Sequence, residues 1–200
     1  MEDKKEKLIA AATVLFADHG YQGVSIRQIG EAAGVNSAMI SYYFGGKQGL
    51  YDAVLGTQMA PVKAFAEEDM SHMDPRDVIR RYAAQMLRVH QEKPHLLAYI
   101  FREFTTPSDT NNSIFCDIAP KLFQLLAGAL TRGVDGKIFR EDLDVPSATL
   151  LLAGIVNFHY LSRNPRDKLG VTSIGDMSEE RYLRQAVDVF LKGIERRDPQ

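Results

Sequence analysis

VSIRQIGEAAGVNSAMISYYFGGKQGLYDAVL, Val24 to Leu55, is the stretch whose reading decides the fold. Ser25 with Gln28 three residues later is a capping box, and Ile26, Ile29 and Ala33 supply the inward face of a short helix that Gly34 breaks. Asn36 is a good N-cap for a further helix through about Tyr43, with Ile40 pointing to the core. Gly45-Gly46 then separates it from a helix that starts near Lys47. Upstream, Leu8, Ile9, Ala12, Leu15 and Phe16 recur at spacings of three and four, predicting a helix from about Lys4 to His19 that Gly20 ends.

Two short helices joined by Gly34-Val35-Asn36 have the geometry in which the second is presented outward, as in a helix-turn-helix. With Ile40 inward, Ser37, Ala38, Met39, Ser41 and Tyr42 are left to approach a duplex. Ala38 and Met39 suit thymine methyls, and Ser37, Ser41 and Tyr42 suit base edges or phosphates. Arg27, outward on the preceding helix, is the candidate for a bidentate guanine contact, and Lys47 with Tyr43 and the helix start forms a candidate phosphate site. Ser25 and Asn36 join this set as the caps that present it. By periodicity alone the same segment also reads as a small helical subdomain with a glycine turn and an exposed polar face.

Composition does not help the nucleic-acid reading, since 24 lysines and arginines face 26 aspartates and glutamates for a net charge of −2. Placement must carry it. The lone cysteine, Cys116, cannot form an intramolecular bridge, and no basic start, apolar run and small-residue cleavage site opens the chain, so the expected setting is reducing and cytoplasmic. The apolar run Thr149 to Leu161 falls short of the roughly 20 residues a membrane span needs.

Beyond Pro61 the helical period continues with no β-type alternation, giving an all-α chain. Asp74-Pro75 opens a helix that Lys93-Pro94 closes, Leu96 to Phe104 is a second, and Thr105 to Asn112 is a polar loop. Ile114 to Leu130 reads as a long helix kinked or restarted at Pro120, with Gly133 and Gly136 marking the next turn. Pro146 begins a helix to Leu161 that is apolar nearly all round and so needs cover on more than one side, a second subunit being one candidate cover. Ser178, Glu179 and Glu180 start the last helix, and Lys192, Arg196 and Arg197 end it, in keeping with its dipole.

Val24 to Leu55 strongly resembles the DNA-binding domain of TetR/AcrR-family transcription regulators. The resemblance rests on Ser25 opening the second helix, Glu31-Ala32-Ala33-Gly34-Val35 as the turn, Tyr43-Phe44 ending the recognition helix and Lys47 opening the next. NSAMISYYFGGKQGLY, REFTTPS at Arg102 to Ser108 and GKIFREDLDV at Gly136 to Val145 look like the CecR-like branch, which implies control of transport or drug-resistance genes. Two features depart from the family pattern. Gly46 replaces the usual serine or threonine and Gly49 follows in the first turn, predicting a loose helix start, and Ser37 replaces the common lysine or proline.

The resemblance implies a three-helix DNA-binding head over residues 1–50 and a larger helical effector-binding and dimerisation domain over 51–200. It further implies a homodimer paired through helices 146–161 and 179–196, a palindromic double-stranded operator, and repression released by a small-molecule effector. Tyr82, Met86, His90, Tyr99, Arg102, Glu103, Phe123, Asn157, Phe158 and His159 are the candidate effector residues, although a methionine and aromatic stripe at helical spacing is as readily core. Arg102 and Glu103, two charges in an apolar helix, must pair or meet a polar ligand. His90, His95 and His159 match no metal motif, and no catalytic residue, metal or cofactor is expected: G-x-S-x-G, H-E-x-x-H and a phosphate-binding glycine loop are all missing. An architectural DNA binder that senses nothing, or a small helical enzyme, are the competing readings.

Overall fold

The computed structural model describes residues 2–105, 114–168 and 178–196. Among the described residues the architecture is all helical: α1 (Glu2–His19), α2 (Ile26–Ala33), α3 (Ala38–Phe44), α4 (Lys47–Ala66), α5 (Pro75–Glu92), α6 (Leu96–Thr105), α7 (Ile114–Asp135), α8 (Val145–Lys168) and α9 (Glu179–Ile194). By packing, the chain forms two compact units, Met1–Pro61 with Lys93–Ile118, and Val62–Glu92 with Ala119–Gln200. The resemblance implies a division at residue 50, and by packing the first unit continues to Pro61 and takes in α6.

The core of the first unit is built from Leu8, Ala12 and Phe16 of α1, Ile29 of α2, Ile40 of α3, Leu50, Tyr51 and Val54 of α4, and Tyr99 of α6. These are the inward positions of each helical period, so burying them fixes how α1 to α4 face one another. Gly20 adopts a left-handed φ of 75° and stops α1, as its position predicts.

In the second unit, Val78, Ile79, Tyr82 and Met86 of α5 are buried, as are Leu126 and Leu130 of α7, Leu152 and Val156 of α8, and Leu183 and Val187 of α9. Phe139, fully buried, is seated over Gly133, where a Cβ would collide with its ring. Backbone bonds from Arg140 N–H to the Ile194 carbonyl at 2.9 Å and from Arg196 N–H to the Ile138 carbonyl at 3.1 Å tie the end of α9 to the α7–α8 connection.

Two helices, α7 and α8, outrun their sequence limits, and α4, whose end the sequence leaves open, runs through a proline. α4 passes Pro61 to Ala66, with Val62 and Phe65 buried beyond the proline, and α7 passes Pro120 without a break and continues to Asp135. A proline removes one backbone donor, and apolar anchoring on either side keeps the helix together. α8 runs to Lys168 rather than ending at Leu161. Ile114–Asp135 and Val145–Ser162 are each long and apolar enough, by length and composition, to cross a bilayer, which the shorter run Thr149 to Leu161 is not. The expected loop at 105–112 falls mainly outside the described residues.

Candidate nucleic-acid interface

The capping box forms as its residues dictate. Ser25 Oγ accepts the Gln28 N–H at 3.2 Å, and Gln28 Oε1 accepts the Ser25 N–H at 2.8 Å. At the other end of α2, Gly34 has φ of 63°, its N–H donates to the Glu31 carbonyl at 3.2 Å, and the Val35 N–H donates to the Gly30 carbonyl at 2.9 Å. Gly30 is needed for a second reason. A Cβ there would lie 2.9 Å from the Val35 oxygen and 3.1 Å from Ser37 Cα, so glycine lets the turn fold back tightly on α2 and sets the angle at which α3 leaves it.

Asn36 caps α3 through its side chain, Oδ1 accepting the Ala38 N–H at 2.9 Å, while Ser37 makes no side-chain cap bond. Ile40 is fully buried. At 100° per residue Ala38 and Tyr42 lie about 200° around the helix from Ile40, and Ala38, Ser41 and Tyr42 are exposed, Tyr42 by 71%. Ser37, Met39 and Tyr43 are half-buried, and Met39 and Tyr43 pack against the core of the unit, so each has one side committed inward. The outward face of α3 is therefore narrower than the sequence suggests and centres on Ala38, Ser41 and Tyr42.

Arg27 stands outward on α2 as predicted, but its Nε is bridged to Glu31 Oε1 at 2.9 Å, with both side chains largely in solvent. Lys47, the first residue of α4, places its Nζ 4.4 Å from the centroid of the Tyr21 ring, and partial burial holds its ammonium pKa below the ordinary lysine value. Lys5 of α1 similarly lies 5.8 Å from the Phe44 centroid. Sequence reasoning singled out neither Tyr21 nor Lys5 for this surface, because the partners sit 26 and 39 residues apart in the chain and carry no local signal. At the start of α4, where a loose turn is expected, the two glycines have structural uses. The Leu50 N–H donates to the Gly46 carbonyl at 3.1 Å, and a Cβ on Gly49 would collide with the Phe44 carbonyl oxygen, so Gly49 is a close-approach residue joining α3 to α4.

Residues 8–54, which span α1, α2, α3 and the start of α4, match the family described as bacterial regulatory proteins, tetR family. Residues 8–54 are thus a TetR-family DNA-binding head, and the chain is similar to transcriptional regulators of that family. It is 28% identical over 154 residues to the probable HTH-type transcriptional regulator YttP of Bacillus subtilis, covering 74% of this chain and 72% of that protein. It is 32% identical over 121 residues to the HTH-type transcriptional dual regulator CecR of Shigella flexneri, covering 54% of each. Its fold is like that of the TetR-family regulator PfmR from Thermus thermophilus, with a TM-score of 0.75 at 23% identity over 94% of this chain and 99% of that one.

The second unit of the chain gathers part of the expected effector set. His90 Nε2 lies 2.9 Å from Asn157 Oδ1, and the Asn157 amide donates to the Ala153 carbonyl at 2.8 Å and to the Tyr82 hydroxyl at 3.5 Å. With the amide nitrogen committed as donor, Oδ1 is the acceptor and His90 carries the hydrogen on Nε2. Burial pushes His90 below its ordinary pKa and the Tyr82 hydroxyl up to about 12. The His90 ring packs 4.1 Å from that of Tyr160, and the His159 ring stacks 4.6 Å from that of Tyr182. Met86 and His159 are buried and Phe123 is half-buried.

Other members of that set go elsewhere. Tyr99 and Arg102 are corrected to contacts with α1 in the first unit: the Tyr99 hydroxyl donates to the Thr13 carbonyl at 2.7 Å, and Arg102 Nη2 donates to the Ala17 carbonyl at 3.2 Å. The arginine thus answers the open C-terminal carbonyls of α1 rather than a ligand or an acid. Phe158 is corrected to an outward position, 61% exposed, because Asn157 and His159 on either side of it take the inward faces of α8. The Glu103 side chain lies outside the described residues. A cleft of about 330 Å³ between α5 and α9 is lined by Arg80, Ala83, Leu87, Leu183, Arg184 and Val187 among others, and by none of the residues expected to meet an effector. Among the described residues no cluster of histidine, cysteine or carboxylate is placed to hold a metal.

Proposed function

We propose that this chain is a cytoplasmic repressor that binds a palindromic operator as a homodimer and is released by a small-molecule effector. Residues 1–50 serve as the reading head and 51–200 as the effector-binding and dimerisation part. The outward face of α3 carries this reading: Ile40 is sunk in the core while Ala38, Ser41 and Tyr42 stand in solvent on a helix held at both ends by capped turns. Ser37, Met39 and Tyr43 add their outer edges, Arg27 reads a base, and Lys47 meets a phosphate.

One helix-turn-helix reads few base pairs, so a two-fold pair on two half-sites is required for a specific site. The surface that supports pairing is on α8, where Leu150, Leu151 and Phe158 are 65, 60 and 61% exposed, with Leu161 further along and Val189 exposed on α9. Gly154 and Gly193, on the same two helices, have open space among the described residues where a Cβ would be, which leaves room for close approach of a second copy. Such a dimer, seated on the duplex, occupies DNA that polymerase needs.

Release requires a coupling between effector and head, typically about 1–3 kcal/mol. Tyr99 and Arg102 support a route, since any shift of α6 is passed directly to the backbone of α1. The direct test selects bound sequences from random duplex DNA with the full chain. An enriched palindrome is expected, with Arg27→Ala relaxing base preference by about 1–3 kcal/mol and Lys47→Ala weakening all sequences alike while flattening the salt slope by about one unit. Recovery of unenriched DNA overturns the reading.

A further inference from the structure

We propose that Tyr21 is a positioning residue for DNA binding, its ring face holding the Lys47 ammonium where a backbone phosphate arrives. The proposal rests on the reading of Lys47 as a phosphate contact. Four observations carry it. The Lys47 Nζ lies 4.4 Å from the Tyr21 centroid, well within the range at which an ammonium feels the negative face of an aromatic ring. The ring is itself fixed, with its centroid 5.1 Å from that of Tyr51 and 6.0 Å from that of Phe16, both of which are buried. Gly45 and Gly46, at φ of 73° and 131°, turn the chain so that Lys47 starts α4 at this spot. Among the described residues no ion pair engages Lys47, whereas Arg27 is bridged to Glu31 and Lys7 to Asp3.

That last contrast is what makes the arrangement useful. A cation held by a carboxylate must surrender hydrogen bonds before it can serve a phosphate. A cation held by a π face gives up no bond to a carboxylate, and N–H donors not turned to the ring are left for a phosphate oxygen. The ring also restricts a flexible four-carbon stem before the duplex arrives, so less side-chain freedom is lost on binding. Tyr21 lies in the turn that follows α1, outside the helix-turn-helix itself, yet it sets the position of a cation at that motif's edge.

The test measures binding of the full chain to a random-sequence duplex over a range of salt concentrations, since a phosphate contact acts on every sequence. Tyr21→Phe keeps the ring and is expected to retain affinity within about twofold, while Tyr21→Leu is expected to lose about three- to tenfold and to flatten the salt slope toward that of Lys47→Ala. Tyr21→Leu placed on Lys47→Ala is expected to add nothing further. Should the leucine variant unfold, phenylalanine with increasing fluorine substitution at position 21 keeps the shape while draining the negative face, and affinity is expected to fall stepwise with fluorination. Equal losses from Tyr21→Leu with and without Lys47, or indifference to fluorination, overturn the proposal. If Lys47→Ala alone leaves affinity and slope unchanged, the phosphate reading of Lys47 fails first and takes the role of Tyr21 with it.

Discussion

The Tyr99 hydroxyl donates to the main-chain carbonyl of Thr13 at 2.7 Å, a buried bond that fastens α6 to the middle of α1. Burial drives the Tyr99 pKa far above the ordinary tyrosine value, so the hydroxyl stays a donor throughout the range in which the protein would be handled. Tyr99→Phe removes the bond and leaves the ring. It is expected to destabilise the fold by about 0.5–1.5 kcal/mol in chemical denaturation. It is also expected to weaken the mutual effect of effector and operator while leaving DNA affinity without effector near its original value. Undiminished coupling in this variant would remove α6 from the route of communication.

Glycines in helices separate packing from propensity. On propensity alone, glycine to alanine inside a helix gains up to about 1 kcal/mol. Gly128 of α7 has only the far end of Arg132 near a would-be Cβ, at 3.9 Å, so Gly128→Ala is expected to show that gain in thermal unfolding. Gly49→Ala is expected to do the opposite and cost about 1–3 kcal/mol, because the new Cβ meets the Phe44 carbonyl oxygen and the junction of α3 with α4 must open. DNA affinity should fall with it. Stabilisation by both substitutions would mean that the junction has slack.

What could be read in the sequence and what could not divide along physical lines. Ser25 with Gln28, Gly20, Gly34 and Asp74-Pro75 act within a few residues of themselves, and the helices start and stop where they say. The fully buried Ile40 follows from periodicity in the same way. That α4 and α7 run on through Pro61 and Pro120 was not legible, since a proline's effect depends on how well its neighbours are anchored. Tyr99 and Arg102 look like pocket residues because a polar group in an apolar helix signals only that some partner exists. That partner, the backbone of α1, lies about 85 residues away in the chain. Lys47 over Tyr21 is the same case, as each residue has an ordinary local role and only folding brings them together.

His90 gives the second unit a pH dependence. Burial is the largest influence on it and disfavours the charged ring, outweighing the bond to Asn157 and the proximity of Glu179, so its folded pKa lies below 6.5. Between the folded and unfolded pKa values the unfolded chain binds more protons, and stability therefore falls as pH drops from about 6.5 toward the folded pKa. Melting temperatures measured from neutral to mildly acid pH should decline more steeply for the parent chain than for His90→Gln, which keeps a polar group beside Asn157 and cannot titrate. Parallel declines would place the acid sensitivity on other groups.

Phe158 offers the sharpest test of pairing because, among the described residues, its ring stands largely uncovered. Its side chain is 61% exposed, in a stripe with Leu150, Leu151 and Leu161 that runs along α8, and Val189 of α9 is exposed as well. Burying such side chains is worth about 1.5–3 kcal/mol each, which favours self-association through this face. Phe158→Asp puts a charge in the middle of the stripe, where each copy would have to bury it without a partner. Sedimentation should show the parent chain as a dimer and the variant as a monomer, with helical circular dichroism unchanged because the substituted position faces solvent in the single chain. Affinity for a two-half-site duplex should then collapse toward that for a single half-site. A variant that remains dimeric and binds the palindrome as before would move the interface off α8 and away from every apolar residue in that stripe.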